Sequence, residues 1–94
     1  MKKVNNAIGV NIKSLREKAG LSQSQFGKSI NKSQSTVYGY ETGRIVPEFE
    51  VLSKISQIYN VPIGQIMGIE WSPVSTKTLR KLYEIYLDEE EDDE

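Results

Sequence analysis

Residues 21–43 read LSQSQFGKSINKSQSTVYGYETG, and this stretch decides the fold. It predicts two short helices, over 23–30 and 34–41, because a polar helix-starting residue precedes each segment and apolar residues recur within it at helical spacing. The predicted core side chains of the two helices are Phe26, Ile30, Val37 and Tyr40. The stretch therefore predicts two helices joined by a tight turn.

Both helices carry start signals, and the turn between them has a suitable residue. Ser22 and Gln25 form the capping-box pattern, in which groups three residues apart satisfy each other. Ser33 is a good N-cap for the second helix. Asn31 suits a sharp turn because asparagine tolerates the left-handed backbone better than most residues. Gly27 is a poor helix former, so its presence predicts that another helix backbone passes close by.

Apolar residues outside this stretch also recur at intervals of three and four, which predicts further helices. One is expected over 4–18, and another begins at Pro47, a residue that favours the first turn of a helix. A short helix is expected to open at Pro62, and a last one to cover 76–87. The chain is therefore predicted to be all-α.

Composition excludes several kinds of function. The 94 residues include no Cys and no His, which removes disulfides, thiolate chemistry and the usual zinc ligands. Most nucleophilic and acid–base catalysis goes with them, so we expect neither an enzyme nor a cofactor. No apolar run approaches the roughly 20 residues that span a bilayer, and the N-terminus does not resemble a signal peptide. The expectation is a cytoplasmic protein that does not contact membranes.

The net charge of −1 hides an asymmetry. Residues 1–71 hold nine Lys/Arg and five Asp/Glu, whereas 72–94 hold three and eight. The segment 88–94 is entirely acidic and is expected to be disordered. Such a tail is either a solubilising end or a segment that competes electrostatically with nucleic acid for the basic body.

The second helix of the opening stretch begins with hydrogen-bonding side chains, Gln34 and Ser35. A short helix with these side chains at its N-terminal end has the size and chemistry to contact base edges in the major groove of DNA. Tyr38 shares their outer face. The alternative for all three is an ordinary solvated or partly packed helix surface.

Four motifs together resemble the Cro/C1 repressor type of helix-turn-helix protein. They are I-x-x-L-R-E-x-x-G-L-S-Q at 12–23, S-x-S-T-V at 33–37, Y-E-T-G at 40–43 and P-x-F-x-x-L-x-K-I at 47–55. The resemblance covers 8–67 and implies a five-helix repressor-like DNA-binding domain with the third helix in the major groove. The domain is expected over 1–68, followed by a connector and amphipathic helix over 69–87 and the disordered acidic tail.

The resemblance also implies residue roles at matching positions. The residues expected to read bases are Gln34, Ser35 and Tyr38. Phosphate contacts are expected from Gln23, Lys28, Lys32, Thr36, Thr42 and Arg44. Arg16 and Glu41 match a pair that forms a buried salt bridge between the first and third helices in some family members.

The sequence departs from the family pattern at three places. Asn31 occupies the turn position where most relatives have glycine. Asparagine, like glycine, tolerates the left-handed backbone. Gly39 stands where many relatives carry a long polar or basic side chain facing DNA, so it can supply no base contact. The loop 44–46 is less basic than in several repressors, so Lys13, Lys28 and Lys32 are expected to share the phosphate contacts.

The apolar stripe of the last helix has two interpretations. Its members are Leu79, Leu82, Tyr83 and Tyr86. The stripe either folds back onto the five-helix body or forms a homodimer, and we favour dimerisation, together with the fifth helix and Trp71, because family members usually bind two half-sites as two-fold dimers.

The function implied is that of a sequence-specific DNA-binding transcriptional regulator. We expect a repressor that binds a palindromic operator in double-stranded DNA as a dimer. The alternative is an antitoxin or anti-repressor-type interaction protein whose C-terminal helix binds a protein partner.

Overall fold

The computed structural model describes residues 3–69 and 75–92, apart from the side chains of 3–6, 76, 86 and 88–92. These residues form six α-helices: α1 (Lys3–Lys18), α2 (Gln23–Ser29), α3 (Gln34–Thr42), α4 (Phe49–Tyr59), α5 (Ile63–Met67) and α6 (Thr76–Asp92). The described ranges contain no strand, so the all-α prediction is confirmed. Two of the residues used in the predictions, Trp71 and the side chain of Tyr86, lie outside the described set.

The predicted caps of α2 and α3 are present. Ser22 Oγ accepts from the backbone N–H of Gln25 at 3.1 Å, and the Gln25 side chain accepts from the backbone N–H of Ser22 at 2.9 Å, which completes the capping box. Ser33 Oγ accepts from the backbone N–H of Thr36 at 3.1 Å. Asn31 has a positive φ of 64°, so the left-handed turn predicted from asparagine is confirmed.

The close approach predicted at Gly27 exists, but the neighbouring backbone is not that of another helix. A β-carbon on Gly27 would lie 2.5 Å from the carbonyl oxygen of Lys32, which belongs to the turn between α2 and α3. The amide of Lys32 also donates to the Gly27 carbonyl at 2.8 Å. The turn therefore folds back onto α2, and this sets the angle at which α3 leaves.

A second close approach, between α1 and α3, carries no signal in the sequence pattern. A β-carbon on Gly9 would lie 2.5 Å from the carbonyl oxygen of Tyr40 and 2.8 Å from that of Glu41. Real β-carbons essentially never come that close to another atom. Gly9 therefore lets the two helices pack backbone to backbone, and any side chain at this position would push α3 away from α1.

The prediction that Pro47 occupies the first turn of α4 is wrong. Glu48 is the N-cap and has an extended backbone (ψ 156°). The Pro47 carbonyl accepts a hydrogen bond from Tyr83 Oη at 2.6 Å. In an α-helix that carbonyl would accept from the amide of Val51, which instead donates to Glu48 at 2.9 Å. The Pro47 carbonyl thus bonds to Tyr83 of α6, and α4 begins at Phe49, two residues later than predicted.

The core includes residues from every helix. Its buried members are Ile8, Ile12, Phe26, Ile30, Val37, Tyr40, Phe49, Val51, Leu52, Ile55, Ile63, Ile66, Met67, Leu79 and Tyr83. Among the polar contacts that join helices around the core, two involve uncharged side chains of α1 and α2. Asn11 Nδ2 on α1 donates to the carbonyl of Ile66 at the end of α5, at 3.0 Å. Ser29 on α2 and the hydroxyl of Tyr59 on α4 lie 2.5 Å apart.

The sixth helix packs back onto α4 and α5 of its own chain. Tyr83 is 1% exposed, and its ring centroid lies 6.0 Å from that of Phe49. Arg80 hydrogen-bonds to Glu50 and lies over the Phe49 ring at 5.1 Å. This hydrogen bond lowers the pKa of Glu50 and raises that of Arg80. The fold-back arrangement is therefore the one seen for Leu79 and Tyr83.

Leu82, another residue of the predicted dimer stripe, lies elsewhere on α6 and is half-buried. Ile85, which the prediction did not include, is 47% exposed. In helical register these two residues form a stripe beside the face that carries Leu79 and Tyr83. Since Leu79 and Tyr83 are used within the chain, a dimer interface on α6 would have to use the neighbouring stripe. Dimerisation itself stays a prediction.

The acidic segment extends α6 as far as Asp92, whereas we expected the helix to end at Leu87 and the acidic residues to be disordered. Glutamate is a good helix former, and once a helix is nucleated each added residue contributes a hydrogen bond at little cost. The docked first half of α6 supplies that nucleus.

Among the described residues, no helix has the length and apolar character needed to cross a bilayer.

We expect Tyr83→Ala to lower the free energy of unfolding by about 3–5 kcal/mol, because a buried aromatic ring is lost. Tyr83→Phe keeps the ring but removes the hydroxyl that donates to Pro47, and it is expected to cost about 1 kcal/mol. Urea denaturation measures both. Lys81→Ala, at an exposed position of the same helix, is the control, with an expected change within about 0.5 kcal/mol. Equal effects of Tyr83→Ala and Lys81→Ala would show that α6 is not docked in solution.

Candidate nucleic-acid interface

The outer surface of α3 carries the three residues predicted to read bases. Gln34, Ser35 and Tyr38 are all exposed, and Tyr38 keeps 47% of its surface accessible. Since an α-helix turns about 100° per residue, the three side chains fall within an arc of about 100°. Val37 and Tyr40 lie on the opposite, buried side. The structure thus brings the predicted base-reading residues together on one face.

The predicted phosphate-contacting residues fall into two groups. Lys28, Lys32 and Arg44 are exposed around the motif, and Thr42 lies on the outward face of α3. Thr36 is different because its hydroxyl is engaged in the first turn, where it accepts from Ser33 Oγ at 3.0 Å. In helical register Thr36 also lies well away from the face of Gln34.

A largely buried ion pair joins α1 to α3. Arg16 Nε donates to Glu41 Oε2 at 2.6 Å and Arg16 Nη2 donates to Glu41 Oε1 at 3.2 Å. The two side chains are 12% and 3% exposed. A third guanidinium bond, from Nη1 to the carbonyl of Leu21 at 2.8 Å, reaches the loop before α2. The hydrogen bond to Glu41 raises the pKa of Arg16, and burial opposes the rise. The pair matches the one implied by the family resemblance.

A chain of hydrogen bonds leads from this ion pair to the surface. Gln23 Nε2 donates to Glu41 Oε1 at 3.0 Å, and Gln34 Nε2 donates to Gln23 Oε1 at 2.6 Å. Gln23, which is predicted to contact phosphate, is half-buried and lies between the Glu41 carboxylate and Gln34. The ion pair and Gln34, an exposed predicted reading residue, therefore belong to one network.

The direction of this chain follows from chemistry. An ionised carboxylate only accepts hydrogen bonds, so the NH₂ group of Gln23 must face Glu41. The carbonyl oxygen of Gln23 then faces Gln34, which must present its own NH₂ group inward. Glu41 thereby sets the orientation of two amides that would otherwise be free to flip.

The consequence for Gln34 concerns the groups it has left. One N–H is used by Gln23, so the second N–H and Oε1 remain available on the exposed side. A donor and an acceptor side by side match the N7 and N6 groups of adenine in the major groove. Since the inward hydrogen bond restricts the side chain before any ligand arrives, less rotamer freedom is lost on binding.

The surroundings of Gly39 have no signal in the sequence pattern. Gly39 is expected to supply no base contact, and in the structure it is buried. The side chain of Ile45 covers it. Only the absence of a side chain at Gly39 could have indicated that another residue packs there.

A comparison with protein families decides the family of the chain. A helix-turn-helix family model matches residues 12–66, which are more than half of the sequence. The chain belongs to the helix-turn-helix family. The Cro/C1-type resemblance seen in the four motifs is confirmed, and α2 and α3 are the two helices of the motif.

Relatives with curated descriptions share this region. The chain is 32% identical to a candidate multi-protein-binding factor 1 of Yarrowia lipolytica, over 80% of this chain and 50% of that protein. It is 29% identical to the transcriptional regulator ImmR of Bacillus subtilis, over 66% and 49%. It is also 29% identical to the cryptic phage CTXphi transcriptional repressor RstR of Vibrio cholerae, over 76% and 64%.

The chain spans about half the length of the first two of these relatives and 64% of the third. None of the three is named as an enzyme. No solved structure matches the chain with comparable significance.

We expect Glu41→Gln to destabilise this helix-turn-helix protein by about 3–5 kcal/mol, because it leaves the Arg16 guanidinium buried without its counter-charge. Thermal unfolding is the measurement, with an expected fall of more than about 10 °C. Glu17→Gln is the matched control, since Glu17 is 3.9 Å from the same guanidinium but 58% exposed, and its effect should stay within about 0.5 kcal/mol. If the two variants melt together, the buried pair does not hold α1 to α3.

Proposed function

We propose that this chain is a transcriptional repressor that binds a two-fold symmetric operator as a dimer, with α3 of each copy in the major groove. The observation that carries the proposal is the hydrogen-bonded chain from Glu41 through Gln23 to Gln34. This chain restrains an exposed glutamine on α3 and leaves it one N–H donor and one acceptor oxygen, the pair of groups that can hydrogen-bond to adenine. Two of the relatives are named as a transcriptional regulator and a transcriptional repressor, which supports the proposal. DNA as the ligand keeps the cytoplasm as the predicted location.

Charge around the motif supports an affinity for the phosphate backbone. Residues 1–71 hold nine basic and five acidic residues. Lys28 on α2, and Lys32 and Arg44 in the segments that flank α3, are exposed. Each phosphate neutralised adds about −0.9 to the slope of log affinity against log salt concentration. With few cations at the motif, binding by one copy is expected to be modest and strongly weakened by salt.

A dimer follows from the small size of the reading surface. One α3 presents three candidate base-reading side chains, which cover only part of an operator. Two copies related by a two-fold axis double the contacts when the recognition helices lie about 34–36 Å apart. We assign the interface to the stripe of Leu82 and Ile85 on α6, because it is apolar, partly exposed and free of the contacts that bury Leu79 and Tyr83.

We expect Gln34→Ala to lower the ratio of specific to non-specific affinity by an amount equivalent to about 1–3 kcal/mol. The measurement is a binding titration on a site selected from random duplexes, with a scrambled duplex as the non-specific probe. Gln57→Ala, an exposed glutamine on α4 outside the motif, is the control and should leave the ratio unchanged. An unchanged ratio for Gln34→Ala would remove Gln34 from base readout.

We expect Ile85→Lys to convert a dimer to a monomer in sedimentation experiments, because it places a charge in the centre of the proposed apolar interface. Ile58→Lys is the control, since Ile58 on α4 is 46% exposed, much like Ile85 at 47%. A dimer of undiminished strength in Ile85→Lys would place the interface elsewhere. Operator binding by Ile85→Lys should also lose the cooperativity of two half-sites.

One observation favours a second candidate function, an interaction protein whose α6 binds another protein. The Yarrowia relative is named for binding multiple proteins, and the same stripe of Leu82 and Ile85 would serve such a partner. A wild-type chain that sediments as a monomer, and that co-purifies with a defined partner lost in Ile85→Lys, would support this candidate over the dimer.

A further inference from the structure

The position of Gly39 on α3 is unusual for a buried residue. It lies four residues after Ser35, so helical register places it next to Ser35 on the side of the helix that carries the proposed reading residues. Ser35 is exposed, yet Gly39 is buried. What covers it is the side chain of Ile45, from the loop between α3 and α4.

The fit of Ile45 over Gly39 depends on the missing side chain. A β-carbon on Gly39 would lie 2.7 Å from Cγ1 of Ile45 and closer still to its Cδ1. Only glycine therefore leaves room for Ile45 in this position. The side chain of Ile45, from the loop, thus packs directly on the backbone of Gly39 in α3.

Backbone hydrogen bonds hold the loop after α3 against Gly39. Gly43 ends α3 with a left-handed backbone (φ 82°). The amides of Arg44 and Ile45 then both donate to the carbonyl of Gly39, at 2.9 Å and 3.1 Å. These bonds tie the backbone of Ile45 to the residue that its side chain covers, so Ile45 has a defined position although it belongs to a loop.

Ile45 nevertheless keeps 42% of its surface exposed. One part of the side chain packs on Gly39, and the rest is open to solvent beside the face of Ser35. An apolar group that is held in place and left partly exposed gains free energy when a ligand covers it. Packing on Gly39 already restricts the rotamers of Ile45, so little further conformational entropy is lost on binding.

We propose that Ile45 is a specificity-determining residue that contacts the C5-methyl group of a thymine in the major groove. The proposal rests on the proposed role of α3 as the DNA-reading helix. Ile45 has no hydrogen-bonding group in its side chain, so it cannot bind phosphate. The apolar group that the major groove offers to such a side chain is the thymine methyl. Ile45 thereby supplies, from the loop, a base contact that Gly39 cannot make.

The test removes the methyl group alone. A duplex selected from random sequences by the wild-type protein serves as the probe, and each thymine is replaced in turn by uracil, which lacks only the C5-methyl. We expect the wild type to lose about fourfold in affinity at one thymine of each half-site, as for a single buried methyl-sized group. Ile45→Ala should bind the thymine and uracil duplexes equally at that position.

Two further variants complete the experiment. Ile58→Ala, an equally exposed isoleucine on α4, should keep the fourfold dependence. Gly39→Ala keeps Ile45 but displaces it, and should reduce the dependence at the same thymine. Retention of the full dependence in Ile45→Ala, or no thymine dependence in the wild type, would overturn the assignment of Ile45. Failure to select any sequence from random duplexes would instead overturn the proposed function of α3.

Discussion

The carboxylate of Glu41 is the group on which the arrangement of α1, α2 and α3 depends. The Glu41 side chain is only 3% exposed, and a charge in such a place is tolerated only when it is paired and hydrogen-bonded. Arg16 on α1 and Gln23 on α2 supply those bonds. Three helices must therefore keep one relative position, and the outermost bond of the network orients Gln34.

Two glycines allow the backbones to come close enough for the helices to take this arrangement. Gly9 allows α1 to lie against the end of α3, and Gly27 allows the turn to fold onto α2. Arg16 lies two helical turns beyond Gly9 on α1, so close contact of the helices brings its guanidinium to Glu41. Rigidity at the motif thus has a steric component and an electrostatic one, and both act on α3. A preorganised α3 loses less conformational freedom when it binds DNA, which links the stability of the fold to the proposed affinity.

The sequence predicted local structure well because the signals for it are local. Ser22 with Gln25, Ser33 and Asn31 act on backbone groups within four residues of themselves, so the caps and the turn appear as expected. Predictions that depended on contacts between different elements were less accurate. The carbonyl of Pro47 bonds to Tyr83, and Gly39 is covered by Ile45. Neither contact leaves a periodic pattern, because the partners come from different elements.

The sequence by itself determined the helices, the family motif and the residue types on the outward face of α3, since caps and helical spacing act over one or two turns. Only the tertiary structure decided that Glu41 orients Gln34 through Gln23 and that Leu79 and Tyr83 lie in the core of their own chain. These facts depend on distances between helices that are far apart in sequence. The packing of α1 against α3 and of α6 against α4 sets those distances.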